Sequence, residues 1–137
     1  MTIKILVLDD DPSVTDLFAL LLQAQGFDVI AMNNGREGLK YIRESQPHLV
    51  TLDLMMPDMD GWEICRAVRE FSRVPIIALS ALNDPAVIVS ALDAGADDYL
   101  TKPTSAHVLV AHINRLIKRN ELNSVHGGDS AGRAALS

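Results

Sequence analysis

The chain has little cysteine: Cys65 is the only one among 137 residues. That excludes an intramolecular disulfide framework and agrees with a reducing compartment. It has no apolar stretch near the ~20 residues that a membrane helix needs. The N-terminal run Ile3 to Leu8 is too short for a signal-peptide core and leads straight into Asp9, Asp10 and Asp11. A cytoplasmic location, with no membrane partner, is therefore expected. Basic residues are the minority, and the formal net charge is −6. That balance argues against nonspecific nucleic-acid binding by this segment. The histidines His48, His107, His112 and His126 show no metal-ligand spacing. No solenoid-type repeat is visible, and no Ser/Thr/Gly-rich loop follows the first apolar run to cradle a cofactor phosphate.

What is there is a regular alternation. Hydrophobic residues make up 48% of the chain, enough for one domain with a real core. Short apolar runs at Ile5–Leu8, Phe27–Ala31, Leu49–Leu52, Pro75–Leu79 and Tyr99–Leu100 read as strands. Helical patterns separate them. Asp11-Pro12 and Asp84-Pro85 are N-caps with proline at the first helical position, and Gly26 and Gly95 close the helices that follow. Arg36–Ser45 reads as a helix stopped by Pro47, and Asp60-Gly61 opens another carrying Ile64, Cys65 and Val68. The last helix runs from Ala106 to about Asn120, with Leu109, Ile113, Leu116 and Ile117 toward the core. Strands that are apolar throughout, each followed by a helix, predict a doubly wound parallel α/β sheet covered on both faces. Residues 1–120 form the expected domain. Residues 121–137 lack an apolar period and read as a flexible tail or the stub of a linker, with a cloning remnant equally open.

Polar residues sit where the apolar runs end. Asp9-Asp10, Asp53, Ser80 and Lys102 each follow or close a separate strand. In an open α/β sheet, ligands bind outside the carboxyl ends of the strands. If these groups meet there, the carboxylates repel one another by roughly 4 kcal/mol per pair at about 4 Å and an effective dielectric of 20. Either one stays protonated or a hard divalent cation joins them. Mg²⁺ suits such a set, since it binds through a few carboxylates and keeps phosphate oxygens as further ligands. Asp53, the lone acid at its strand end, is the candidate nucleophile toward phosphorus, with Asp9 and Asp10 as metal holders and Lys102 as a mobile counter-charge. Asp11 reads only as a helix cap.

Ile5–Asp11, Asp53–Gly61 with its Met-Met-Pro-Asp core, Ser80-Ala81, and Gly95–Pro103 together resemble the receiver domain of two-component response regulators, over about residues 1–120. The resemblance implies a five-stranded CheY-like (flavodoxin-like) sheet in the order 2-1-3-4-5 with five helices. It implies phosphorylation on Asp53, and Mg²⁺ held by Asp9, Asp10, Asp53 and the backbone carbonyl of Met55. Ser80 would be the switch hydroxyl, Lys102 the phosphoryl partner and Tyr99 the aromatic switch. The phosphodonor would be a sensor histidine kinase or phosphotransfer protein. A homodimer through the fourth helix, fifth strand and fifth helix would be one output, as in the winged-helix transcription-factor subfamily.

Departures from that subfamily are visible. Thr104 stands where Phe often follows Lys-Pro, and Val87-Ile88-Val89 and Val108 are apolar where charge is usual. Two readings of Ile88 stay open, core or exposed partner surface. Asp97, Asp98, Arg115 and Arg119 are candidates for cross-dimer charge contacts. A rival function is a small haloacid-dehalogenase-like phosphatase with Asp9 as nucleophile, suggested by Asp9-x-Asp11-x-Ser13. Against it, Lys102 follows the acidic pair Asp97-Asp98, no cap segment is visible, and Asp53 would have no role.

Overall fold

The structure, a computed structural model, describes the backbone of residues 2–129 and the side chains of residues 2–122. Strands and helices alternate as β1 (Lys4–Leu8), α1 (Pro12–Ala24), β2 (Asp28–Met32), α2 (Gly35–Ser45), β3 (Leu49–Asp53), α3 (Gly61–Arg69), β4 (Ile76–Ser80), α4 (Pro85–Ala94), β5 (Asp98–Thr101) and α5 (Ala106–Asp129). The strands form one parallel sheet in the order β2-β1-β3-β4-β5. Central strands β3 and β4 are buried at every residue, which is why they read as unbroken apolar runs. Edge strands β2 and β5 are only partly covered.

Alternate side chains of each strand feed two cores. Leu6, Leu8, Val50, Leu52, Ile76 and Ala78 pack under α2, α3 and α4. Ile5, Val7, Leu49, Ile77 and Leu79 pack under α1 and α5, against Phe18, Leu22, Leu109, Ile113 and Leu116. Close approach is needed at two glycines. A Cβ on Gly38 would lie 2.5 Å from Leu8 Cδ2, and one on Gly61 would lie 2.6 Å from Leu54 Cα.

The helix starts are held by carboxylates and an amide. Asp11 accepts from Ser13 N–H at 2.9 Å, and Asp84 from Ala86 N–H at 2.8 Å. Asp60 accepts from Glu63 N–H and Asn34 from Glu37 N–H. A second acid reinforces α2 from afar: Asp58, in the β3–α3 loop, accepts from the N–H groups of Gly35 and Arg36, both at 3.1 Å. Its burial would raise its pKa, but these backbone donors outweigh it and hold the carboxyl below its ordinary value.

Several expected features take a definite form. Helix α5 continues through Asn120 to Asp129, so the first part of the segment read as a tail is helical. Glu121 and Leu122 favour helix. Residues 130–137 lie outside the described residues. Asp97 and Asp98 are paired within the chain. Asp97 bonds Arg69 at 2.8 Å and Arg119 at 2.9 Å, while Asp98 bonds Arg115 at 2.6 Å and contacts His112 Nδ1. Their partners stand on α5 and, for Asp97, also on α3. Ile88 is half-buried, whereas Val89 is 55% and Val108 44% exposed. Helix α4 therefore buries only Ala91 and Ala94 although it is apolar almost all round. Trp62 is half-buried near the start of α3, and its Nε1–H donates to Ser90 Oγ at 2.9 Å, tying α3 to α4. Cys65 is fully buried, and burial pushes its thiol up to about 11. Among the described residues, no helix is long and apolar enough to cross a membrane.

Candidate functional site

The carboxyl ends of β1, β3, β4 and β5 converge on one site. Register explains the convergence: Leu8 pairs with Leu52, Asp53 with Leu79, and Ser80 with Thr101. Each polar residue thus leaves its strand at nearly the same height. Asp9, Asp10 and Asp53 offer carboxylate oxygens that all lie within 4.8 Å of one another. Asp9 is 3% and Asp53 5% exposed, while Asp10 faces solvent.

Lys102 joins the cluster from β5. Its Nζ donates to Asp9 Oδ2 at 2.7 Å and lies 3.5 Å from Asp53 Oδ1. Its backbone N–H donates to the Ser80 carbonyl at 2.8 Å, and the Lys102–Pro103 peptide is cis. Desolvation pulls the ammonium pKa down, but the two carboxylates outweigh it and leave it above its ordinary value.

Asp53 titrates differently. Burial is the largest influence and raises its pKa to about 6. The charges of Asp9 and Asp10 push the same way, and the Met55 N–H, 3.2 Å from Oδ1, and Lys102 offset only part. A single ammonium cannot balance three clustered carboxylates. The donor set is all oxygen, closely spaced and negative, as a hard divalent cation requires. The residues fit such an ion.

The sequence-predicted residues Asp9, Asp10, Asp53 and Lys102 are brought together, with Met55 beside them, exposed and with its backbone N–H donating to Asp53. Ser80 closes β4 fully buried, its Oγ accepting from Leu82 N–H at 3.1 Å. Tyr99 is half-buried, and its hydroxyl donates to the Leu82 carbonyl at 2.5 Å. Sequence reading missed Asn33. Its Nδ2 donates to the Asp9 carbonyl at 2.8 Å and to Thr15 Oγ1 at 2.9 Å, fixing the loop that carries the acid pair. It also missed Asp58 and Arg69. The guanidinium of Arg69 bonds Gly95 O, Ser72 O, Val74 O and Asp97, stitching α3 to the ends of β4 and β5. No local signal distinguishes such residues from ordinary surface ones.

A five-stranded 2-1-3-4-5 sheet with an acidic cluster and a lysine at its carboxyl edge defines a CheY-like signalling fold. Residues 5–114 match the response regulator receiver domain family, and the chain belongs to that family. It is 43% identical over 118 residues to the DNA-binding response regulator MtrA of Mycolicibacterium smegmatis, covering 86% of this chain and 52% of that protein. It is 40% identical over 133 residues to the transcriptional regulatory protein AfsQ1 of Streptomyces coelicolor, covering 97% of this chain and 58% of that protein. The chain thus spans little more than half the length of these curated relatives. Among solved structures it is similar to the receiver domain of the Francisella response regulator 1452, with TM-score 0.83 and 33% identity, over 87% of this chain and 99% of that one. The BeF3-activated DrrB receiver domain matches with TM-score 0.80 and 36% identity, over 86% of this chain and 99% of that one. The phosphatase reading finds no support in these matches, and Asp53, idle in that scheme, sits inside the cluster.

Proposed function

We propose that Asp53 is the phosphoacceptor of a two-component signalling protein, with a histidine kinase or phosphotransfer protein as donor. The observation that carries this is the placing of Asp53, nearly buried, within 4.8 Å of two other carboxylates and 3.5 Å of a lysine. An Asp53 oxygen attacks phosphorus as the bond from phosphorus to the donor nitrogen breaks, and the nitrogen keeps the electron pair and takes up a proton. Mg²⁺, held by Asp9, Asp10, Asp53 and the Met55 carbonyl, would neutralise charge on the transferring group. Lys102 is close enough to follow that charge. Asp9 both holds the ammonium and orients the following β1–α1 loop by accepting from Asp11 N–H at 3.0 Å.

Phosphorylation adds charge and strong acceptors beside Ser80. We read Ser80 and Tyr99 as the switch pair, because both bond the same residue, Leu82, at the start of the β4–α4 loop. The output surface is then α4-β5-α5, where Leu82, Val89, Leu92 and Val108 are exposed. That face suits a homodimer with an apolar contact or an attached output domain, and nucleic acid would be bound by such a domain, outside this segment. We place the protein in the cytoplasm, where such donors act. Intact mass after incubation with acetyl phosphate and Mg²⁺ tests the reading. Wild type should gain one phosphoryl group and Asp53→Asn none; equal labelling of both would sink it.

A further inference from the structure

We infer that Asn33 is a positioning residue for the cation site. By holding the Asp9–Asp10 peptide, it keeps the exposed carboxylate of Asp10 turned toward Asp9 and Asp53, and so raises the affinity for a divalent cation. The inference rests on the reading of Asp9 and Asp10 as metal holders.

Asn33 directly follows the last residue of β2. The β1–β2 ladder ends with Leu8 opposite Met32, and one further backbone bond runs from Asp9 N–H to the Met32 carbonyl at 3.2 Å. Past that point a side chain takes over from the backbone. Asn33 Nδ2 donates one hydrogen to Asp9 O at 2.8 Å and the other to Thr15 Oγ1 at 2.9 Å. The Thr15 hydroxyl then donates its own hydrogen to Pro12 O at 3.1 Å. The end of β2, the β1–α1 loop and the first turn of α1 thus meet on one amide.

The chemistry of that amide suits its place. An NH2 group supplies two donors and no net charge. A lysine there would bring a rival cation to the acids, and an aspartate would add negative charge and no donor. Asn33 is exposed, whereas Thr15 is 1% exposed. The Asn33 side chain therefore fills no core space, and what it contributes is the pair of bonds.

Those bonds act on Asp10 through Asp9. Every polar group of Asp9 is engaged: its N–H by Met32, its carbonyl by Asn33, Oδ1 by Asp11 N–H and Oδ2 by Lys102. Asp10 is exposed, and among the described residues no hydrogen bond reaches its carboxylate. Without a cation, two neighbouring carboxylates repel it and it is free to swing into water. An arriving cation must then draw it back, which lowers affinity; a ligand already in place avoids that loss. Fixing the Asp9 carbonyl fixes the plane of the peptide that carries Asp10, because the peptide is rigid.

Calorimetric titration with Mg²⁺ alone on wild type, Asn33→Ala and Asn34→Ala tests this. Asn34 caps α2 by accepting from Glu37 N–H at 3.0 Å, so its variant reports a purely structural loss one residue away. Asn33→Ala should weaken Mg²⁺ binding by roughly five- to tenfold, the effect of losing one bond that orients a ligand. Asn34→Ala should leave it unchanged. In acetyl phosphate labelling of Asp53, the Mg²⁺ concentration giving half the maximal rate should rise by the same factor in Asn33→Ala, while the rate at saturating Mg²⁺ stays at the wild-type value. In the metal-free variant, the Asp11 amide, which donates to Asp9, should exchange faster. The inference is overturned if Asn33→Ala binds Mg²⁺ as tightly as wild type, if Asn34→Ala weakens binding equally, or if only the saturated rate falls. A wild type that binds Mg²⁺ but accepts no phosphoryl group would instead overturn the reading of Asp53.

Discussion

The hydroxyl of Tyr99 on β5 donates to the carbonyl oxygen of Leu82, 2.5 Å away, in the loop that leads from β4 to α4. The N–H of the same Leu82 donates to Ser80 Oγ. One peptide segment is thus held from both sides by the two residues that we read as the switch. Any movement of Ser80 toward a phosphoryl group at Asp53 must break or carry along its bond to Leu82, and with it the Tyr99 contact.

The first prediction follows directly. Tyr99→Phe removes one bond to Leu82 and leaves the ring in place. Amide hydrogen exchange should speed up in the β4–α4 loop, by about fivefold for a bond worth roughly 1 kcal/mol. Labelling of Asp53 by acetyl phosphate should persist. Unchanged exchange at Leu82 and Asn83 would show that the bond does not restrain the loop.

The second prediction concerns pH. Asp53 titrates near 6 in the folded chain against 3.8 ordinarily. A raised carboxyl pKa means that ionisation disfavours the fold. The penalty is absent well below pH 3.8, grows between the two values, and is complete above about 6. Asp53→Asn should therefore be more stable than wild type at pH 7 to 8, by about 1–3 kcal/mol, and the two should converge toward pH 4. Urea unfolding without divalent ions measures it. A gain that is constant with pH would refute the origin assigned to it.

Magnesium should act on the same term. Added Mg²⁺ should raise the melting temperature of wild type at pH 7.5 in proportion to the logarithm of its concentration once binding saturates. Chelation should reverse the effect. The shift should shrink in Asp10→Asn, which alters the exposed member of the cluster and leaves the buried ones intact. An equal shift in both proteins would remove Asp10 from the metal site.

Lys102→Gln leaves Asp9, 4% exposed at its side chain, without its ammonium partner. Loss of one member of a largely buried pair should destabilise the metal-free protein by about 1–3 kcal/mol at pH 7. Because the Lys102 pKa is raised, its contribution is present below 10.5 and disappears as pH climbs through the folded value. The difference between wild type and variant should therefore persist to pH 9 and fall only in strong alkali. Labelling of Asp53 should slow by roughly tenfold or more, since a charge poised at the reacting group is lost.

Gly61→Ala tests how tightly the loop after Asp53 is packed. The added methyl would sit 2.6 Å from Leu54 Cα and 3.1 Å from the Asp53 carbonyl. Neither neighbour is a flexible side-chain end, so the backbone must shift. A cost of about 1–3 kcal/mol is expected, with slower Asp53 labelling as the loop moves. Full stability would show that the loop yields without strain.

Much of this protein was legible as a string. Pro12 after Asp11 and Pro85 after Asp84 announced helix starts, and the caps form as the residues require. Leu49–Leu52 and Ile76–Leu79 are apolar at every position except Thr51, which forces burial on both faces. The acids and the lysine at strand ends were visible because a run of apolar residues stops where the sheet stops. Asn33, Asp58 and Arg69 were not visible, since each bonds a residue more than twenty positions away.

Local chemistry thus settled the elements, their order and which polar groups stand at their ends, because caps, breakers and apolar runs act over a few residues. Three-dimensional packing decided the rest. It sent Asp97 and Asp98 to Arg69, Arg119 and Arg115, although the string left them free to reach a partner. It left Val89 and Val108 in solvent, and it gathered Arg36, Lys40 and Arg43 around Met59. Charge pairing and exposure depend on which helix lies over which strand, and that is a property of the assembled sheet.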